Sequence, residues 1–276
     1  MKNAKKVQRL ALYLLIFSVN FEAWDPLNTN GFFSVSKLFG VIYLVTILPS
    51  LKEFLDVKSI GYVLNSIWIF FILLTIVSLS NINVISPTFF NFSIFQNIIL
   101  FWFLLNQERK EPGILEKGLI GFAMGSIVLA ILFSLGFGIF DDDGRITLFG
   151  DNANIIGLRM AISIIFLLFF TFQNKFKQGK TKYLLILAVP VMLQLMAETG
   201  SRVAFISLAS SLLVGLILFK TKHAWSKILS LAIGIGMLLG AWFIISQSEV
   251  LMLRLLKTQN DGNVGERGDI DRKSVV

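Results

Sequence analysis

Arg145, Arg159 and Arg202 are the residues of this sequence best placed to do chemistry. Arg145 follows Asp141-Asp142-Asp143-Gly144 in a polar stretch, Arg159 lies inside the next apolar segment, and Arg202 closes the turn Glu198-Thr199-Gly200-Ser201-Arg202. A guanidinium keeps its charge and offers a rigid fork of donors that matches phosphate oxygens. Placing one inside an apolar helix costs about 2.5–3.5 kcal/mol on insertion scales, and such a residue faces a cavity or a partner. Gathered at one place, the three would hold an anion such as a lipid diphosphate. Each also has a plainer reading. Arg145 can pair with Asp141 to Asp143, and Arg202 can pair with Glu198 four residues away or snorkel to an interface. Arg159 resists that treatment, because a buried charge needs a reason.

The elements that must position these residues are membrane helices. Of the 276 residues, 55% are hydrophobic and only 15% charged, against about 25% charged in soluble domains, and the mean hydropathy is +0.76. The apolar residues come in long blocks that predict about nine spans, an all-α polytopic transmembrane bundle. The spans fall at Leu10–Leu27, Phe32–Leu51, Ile60–Leu79, Phe89–Leu105, Gly118–Phe140, Asn154–Phe172, Tyr183–Ala197, Arg202–Phe219 and Ile228–Ser246. Asn20, Glu22 and Asp25 interrupt the first. The blocks are too long and too uniform for strands. Met1 to Val19 has the basic-then-apolar shape of a signal peptide but no small-residue cleavage pattern, and reads as a first membrane helix.

Charge sets the expected orientation. Lys2, Lys5, Lys6 and Arg9 precede the first span; Lys52 and Lys58, then Arg109, Lys110 and Lys117, then Lys175 to Lys182, then Lys220, Lys222 and Lys227 fall in alternate loops on the same side. Up to the last span, the opposite loops hold only Lys37, Arg145 and Arg202. The positive-inside rule puts the Lys-rich side and the N-terminus in the cytoplasm, and the arginine-bearing loops outside. The +8 net charge is thereby a matter of topology, and nucleic acid is not an expected partner. Residues 1–246 form the bundle, and 247–276, polar after an amphipathic start, read as the beginning of an external loop. Cysteine is absent, which removes disulfides, thiolate metal sites and a cysteine nucleophile.

Other features carry less. Three adjacent carboxylates at Asp141 to Asp143 read as a solvated loop before a metal site, and His223, the one histidine, lies among lysines without companion ligands. Gly121/Gly125 and Gly236/Gly240 have the spacing at which membrane helices approach closely. The 27 phenylalanines suit lipid-facing surfaces.

The run Gly144-Arg145-Ile146-Thr147-Leu148-Phe149-Gly150-Asp151-Asn152-Ala153-Asn154 resembles the Arg-x-x-Gly-x-Phe-x-x-Pro-Asn signature of O-antigen ligases and polymerases. Thr199-Gly200-Ser201-Arg202-Val203-Ala204-Phe205 resembles their Ser-Arg-Gly-Ala signature, and Arg254 with Gly265-Glu266-Arg267-Gly268-Asp269-Ile270 resembles the start of their large external loop. The resemblance covers about Phe140 to Arg272 and implies a C-type glycosyltransferase architecture in the cytoplasmic membrane. The implied reaction moves a glycan from undecaprenyl diphosphate to lipid A–core, or to a growing polysaccharide, at the outer face. Arg145, Arg159 and Arg202 would bind the diphosphate, Arg254 and Arg267 would close over it, and Asn152 and Asn154 would shape the loop or bind sugar. No metal and no cofactor is implied; the partners are the lipid-linked donor, the acceptor and membrane lipids. Ala153 stands where the family has proline, and no histidine follows the last span to serve as the family's base. Family members run to about 400 residues on the length expected of a full bundle plus loop, so the chain is expected to be a C-terminally truncated product or fragment. Two further classes stay open: a transporter or flippase for lipid-linked sugars, which would need polar residues through the bundle, and a structural membrane subunit whose arginines hold lipid headgroups. Ligase and polymerase are not separated by these residues.

Overall fold

The structure, a computed structural model, describes residues 2–29, 33–54, 61–80, 87–141, 144–172, 185, 187–218, 236, 240 and 243. It is mostly helical: α1 (Lys2–Ser18), α2 (Val35–Ile47), α3 (Leu51–Phe54), α4 (Gly61–Ser80), α5 (Pro87–Lys110), α6 (Ile114–Ser134), α7 (Ala153–Phe172), α8 (Val189–Glu198) and α9 (Arg202–Leu218). Among the described residues, three segments are long and apolar enough to cross a membrane: Val35–Phe54, Ile114–Ser134 and Ala153–Thr171. Asn65–Val77, Val189–Glu198 and Arg202–Gly215 are shorter apolar helices. These helices make the chain a membrane protein. The expected last span, Ile228–Ser246, lies outside the described residues except at Gly236, Gly240 and Phe243.

Among the boundaries that differ from the sequence reading, two have a clear local reason. The first apolar segment leaves its helix at Ser18 and passes through a 3-10 turn at Val19–Phe21, so the helix ends where Asn20, Glu22 and Asp25 interrupt the apolar run. The span expected at Gly118–Phe140 stops at Ser134. Gly136, with φ +87, supplies the left-handed residue of a Schellman stop, its N–H donating to Phe133 O at 2.8 Å while Phe137 N–H donates to Leu132 O at 3.0 Å. Beyond it β1 (Ile139–Phe140) pairs antiparallel with β2 (Ile146–Thr147), the one pair of strands among the described residues. Pro49 marks a third irregularity, a 3-10 turn at Leu48–Ser50 between α2 and α3.

The chain divides into two compact units. The first comprises Met1–Leu15 and Phe39–Gly118. There α5 packs on α4 and α3, Asn106 Nδ2 donates to Phe54 O at 2.7 Å, and ion pairs join Arg9 to Glu111 and Lys110 to Glu53. Glu108 accepts from the N–H groups of Gly113 and Leu115, fixing the start of α6. The second unit comprises Ile16–Leu38 and Leu119–Val276. Its core is built round α7, whose Ile156, Met160, Ile164 and Leu167 recur at helical spacing and are all buried, with Ala123, Ile127, Met192, Met196, Ala204 and Leu208 packed about them.

Candidate functional site

Arg159 and the two signature-like segments all meet the N-terminal end of α7. Asn152 is the N-cap. Its side-chain oxygen accepts from Asn154 N–H at 2.8 Å, and its carbonyl accepts from Ile155 and Ile156. Ala153, where the resemblance expects proline, is thus the first helical residue, a position that favours proline without requiring it. The preceding loop turns through left-handed residues at Phe149 (φ 56) and Gly150 (φ 79). Phe149 accepts that unusual backbone because its ring stacks on Trp24 at 4.8 Å. Ile146 and Leu148 are buried in the core and anchor the strand side of the loop. Replacing Asn152 with alanine is expected to cost about 1 kcal/mol in stability, and replacing it with aspartate almost nothing. Thermal unfolding of the detergent-purified protein measures both.

Arg159 sits about two turns into α7 and is buried, its side chain 7% exposed. Side chains on a helix lean toward its N-terminus, and Arg159 reaches back along α7 to the loop. Nη1 is ion-paired with Asp151 Oδ2 and also donates to the carbonyl of Asn20 at 3.3 Å. Nη2 pairs with Glu22 Oε2 at 3.1 Å. The two carboxylates differ in setting: Asp151 is 11% exposed and Glu22 is 64% exposed. Asp151 also lies just ahead of the α7 N-terminus, where the helix dipole favours negative charge.

Asn20 extends the network inward. Its amide donates to Phe122 O at 2.9 Å and Phe17 O at 3.3 Å, and its oxygen accepts from Ser126 Oγ at 2.6 Å. Ser126 in turn shares a 2.6 Å hydrogen bond with Ser163. All three side chains are buried, so the network satisfies polar groups that would be costly alone.

The Thr199-Gly200-Ser201-Arg202 turn docks on α7 at Gly157. A Cβ there would stand 2.7 Å from Thr199 Oγ1 and 2.8 Å from Ser201 Cβ, so glycine is what admits the turn. Gly200 (φ 61) ends α8, and Ser201 opens α9, its Oγ accepting from Ala204 N–H at 3.4 Å. Arg202 is the first residue of α9 and is half-buried. Burial pushes the Glu198 carboxyl, at the end of α8, above the usual carboxylate range. Gly157 and Arg159 are two residues apart, about 200° round the helix. The turn and the Arg159 network therefore flank α7 on different faces of one end.

Arg145 lies in the β1–β2 connection, where its Nε and its N–H both donate to Asp141 at 2.8 Å. The plainer reading of this residue is therefore present in the structure. Asn154 is exposed beside the cap. Arg254, Arg267, His223, Asp142 and Asp143 lie outside the described residues. Among the described residues no group of His, Cys, Asp and Glu is arranged to hold a metal. Of the glycine pairs, Gly125 makes the expected close approach, whereas no described atom stands within 4 Å of a Cβ built at Gly236 or Gly240. Sequence reasoning passed over Asp151, Asn20 and Glu22 as partners of Arg159. The available signal was the polar interruption of the first apolar segment, since a buried arginine needs carboxylates and few are on offer.

Comparison of the chain with known protein families, curated proteins and solved structures gives no match.

Proposed function

We propose that the protein is an O-antigen ligase-like membrane glycosyltransferase that moves a glycan from undecaprenyl diphosphate to an acceptor hydroxyl at the outer face of the cytoplasmic membrane. The observation that carries the reading is that the Arg145 hairpin and the Arg202 turn both pack on α7, the helix that carries Arg159, the turn on a different face from Arg159. In the reaction the acceptor oxygen bonds to the anomeric carbon as the bond from that carbon to the diphosphate breaks, and the acceptor hydroxyl's proton passes to solvent. Negative charge grows on the departing undecaprenyl diphosphate, and fixed guanidinium donors stabilise that charge more than water does. Arg202 and Arg145 meet the diphosphate. Arg159 joins them by exchange: the exposed Glu22 yields Nη2 to a phosphate oxygen while the buried Asp151 keeps Nη1 and holds the loop in place.

The test uses the protein in its host. Arg202→Ala should cause undecaprenyl-linked glycan to accumulate outside while attachment or polymerisation stops, and the species that accumulates separates ligase from polymerase. Glu22→Gln should tighten binding of undecaprenyl diphosphate several-fold, since a competing carboxylate is removed. An unchanged glycan profile for Arg202→Ala at normal membrane levels would refute the transfer reading. Accumulation confined to the cytoplasmic leaflet would point to a flippase instead.

A further inference from the structure

Between Lys117 and Asp141 the chain carries no charged residue, yet α6 stops at Ser134. The six residues beyond it, Leu135-Gly136-Phe137-Gly138-Ile139-Phe140, alternate large apolar side chains with glycine and end on a second aromatic. None of the four side chains folds into the core. Leu135 is 69% exposed, Phe137 54%, Ile139 73% and Phe140 62%. Large apolar groups left open so close together mark a contact with a membrane or a protein.

The segment is held firmly while its side chains stay outside. Gly138 lies so near β2 that a Cβ there would stand 2.9 Å from Ile146 Cδ1. Thr147 Oγ1 donates to Ile139 O at 3.0 Å, and Asp141 N–H donates to Arg145 O at 2.9 Å. Ile146 itself is buried in the core. β1 therefore rests on a buried partner strand and presents Ile139 and Phe140 outward.

The length of α6 says what the segment meets. Its 21 residues extend about 31 Å, close to the hydrocarbon thickness of a bilayer. A helix that crosses the bilayer ends at the hydrocarbon boundary, so the residues after Ser134 enter the headgroup layer. The backbone sets how deep they go. β1 belongs to a two-stranded sheet, so one side of it has no ladder partner. Such an edge is not tolerated in hydrocarbon, where nothing satisfies its N–H and C=O groups, whereas water in the headgroup layer does so. Asp141 and Arg145, ion-paired at 2.8 Å, follow β1 directly and mark the polar limit.

We infer that residues 135–140 are a membrane-docking surface in the interface layer at the end of α6, with their apolar side chains among the lipid acyl chains and their backbone among the headgroups. The docked strand pair holds Asp141 and Arg145 at the level of the headgroups. This surface does not depend on the glycosyltransferase reading.

The chain has no cysteine, so Ile139→Cys supplies a single thiol for a nitroxide label, at a position where the label displaces no core side chain. The labelled protein is reconstituted into vesicles of phosphatidylethanolamine and phosphatidylglycerol. Electron paramagnetic resonance then compares collisions of the label with oxygen, which concentrates in the acyl layer, and with a nickel chelate confined to water. Oxygen should reach the label better than nickel does, with a depth of about 5–10 Å into the headgroup–acyl boundary. Phe140→Cys should give the same result, which keeps the test valid if the first variant does not fold. Better access for nickel than for oxygen would place β1 in water and overturn the surface. Poor access for both reagents would show that protein covers it, a second copy or another segment of the chain, and would overturn the lipid assignment.

Discussion

Replacing Arg159 with alanine should destabilise the protein by about 3–5 kcal/mol, the cost of leaving a buried ion pair half broken. Asp151, 11% exposed, would lose its ion-pair partner and keep the Asn152 N–H. The Asn20 carbonyl would lose a donor as well. The companion variant Glu22→Gln should cost well under 1 kcal/mol, because its carboxylate is 64% exposed and an exposed pair contributes little. Combining Arg159→Met with Asp151→Leu should recover most of the loss, since no unpaired charge then remains in the interior. Thermal unfolding of the detergent-purified variants measures all three. A loss below 1 kcal/mol for Arg159→Ala would mean that Asp151 is solvated and that the network does not hold the loop. The same measurement separates two consequences of the substitution: a protein that unfolds says nothing of glycan transfer, which is why Arg202 and Glu22 carry the functional test.

A methyl group at Gly125 should be nearly as damaging. A Cβ there would stand 2.5 Å from the carbonyl oxygen of Phe17 and 2.5 Å from Asn20 Nδ2. The first of these is backbone and cannot swing aside. Overpacking of this kind costs about 1–3 kcal/mol, and displacing Asn20 would also break its bonds to Phe122 O and Ser126. We therefore expect Gly125→Ala to cost about 3 kcal/mol. Its effect should be strongly non-additive with Asn20→Ala, because both strike one network. Additive losses in that double-mutant cycle would show that the clash is relieved elsewhere and that Asn20 keeps its place.

Several features were legible in the residues themselves. The starts of α7 and α9 agree with those of their apolar runs to within a residue, because a helix in hydrocarbon must satisfy its backbone internally and its limit is set by where polarity ends. Gly125 was readable as a close-contact position from its spacing to Gly121. The importance of Arg159 was readable too, since a guanidinium in an apolar helix cannot be indifferent.

Tertiary structure alone decided what those residues meet. Asp151 and Arg159 are eight apart, and Glu22 is more than a hundred residues away, so no local periodicity couples them; the lean of helical side chains toward the N-terminus and the docking of the first segment beside α6 do. The pairing of β1 with β2 replaced the end of an expected span because Gly136 let the chain turn, a choice that hydropathy cannot register. The glycines, Asn152 and Ser201 within the signature-like runs proved to be the residues that build turns and caps. What the sequence determined by itself was a membrane chain of apolar helices with one costly arginine. The fold supplied the carboxylates that hold that arginine, because neutralising a buried charge requires groups brought together across the chain.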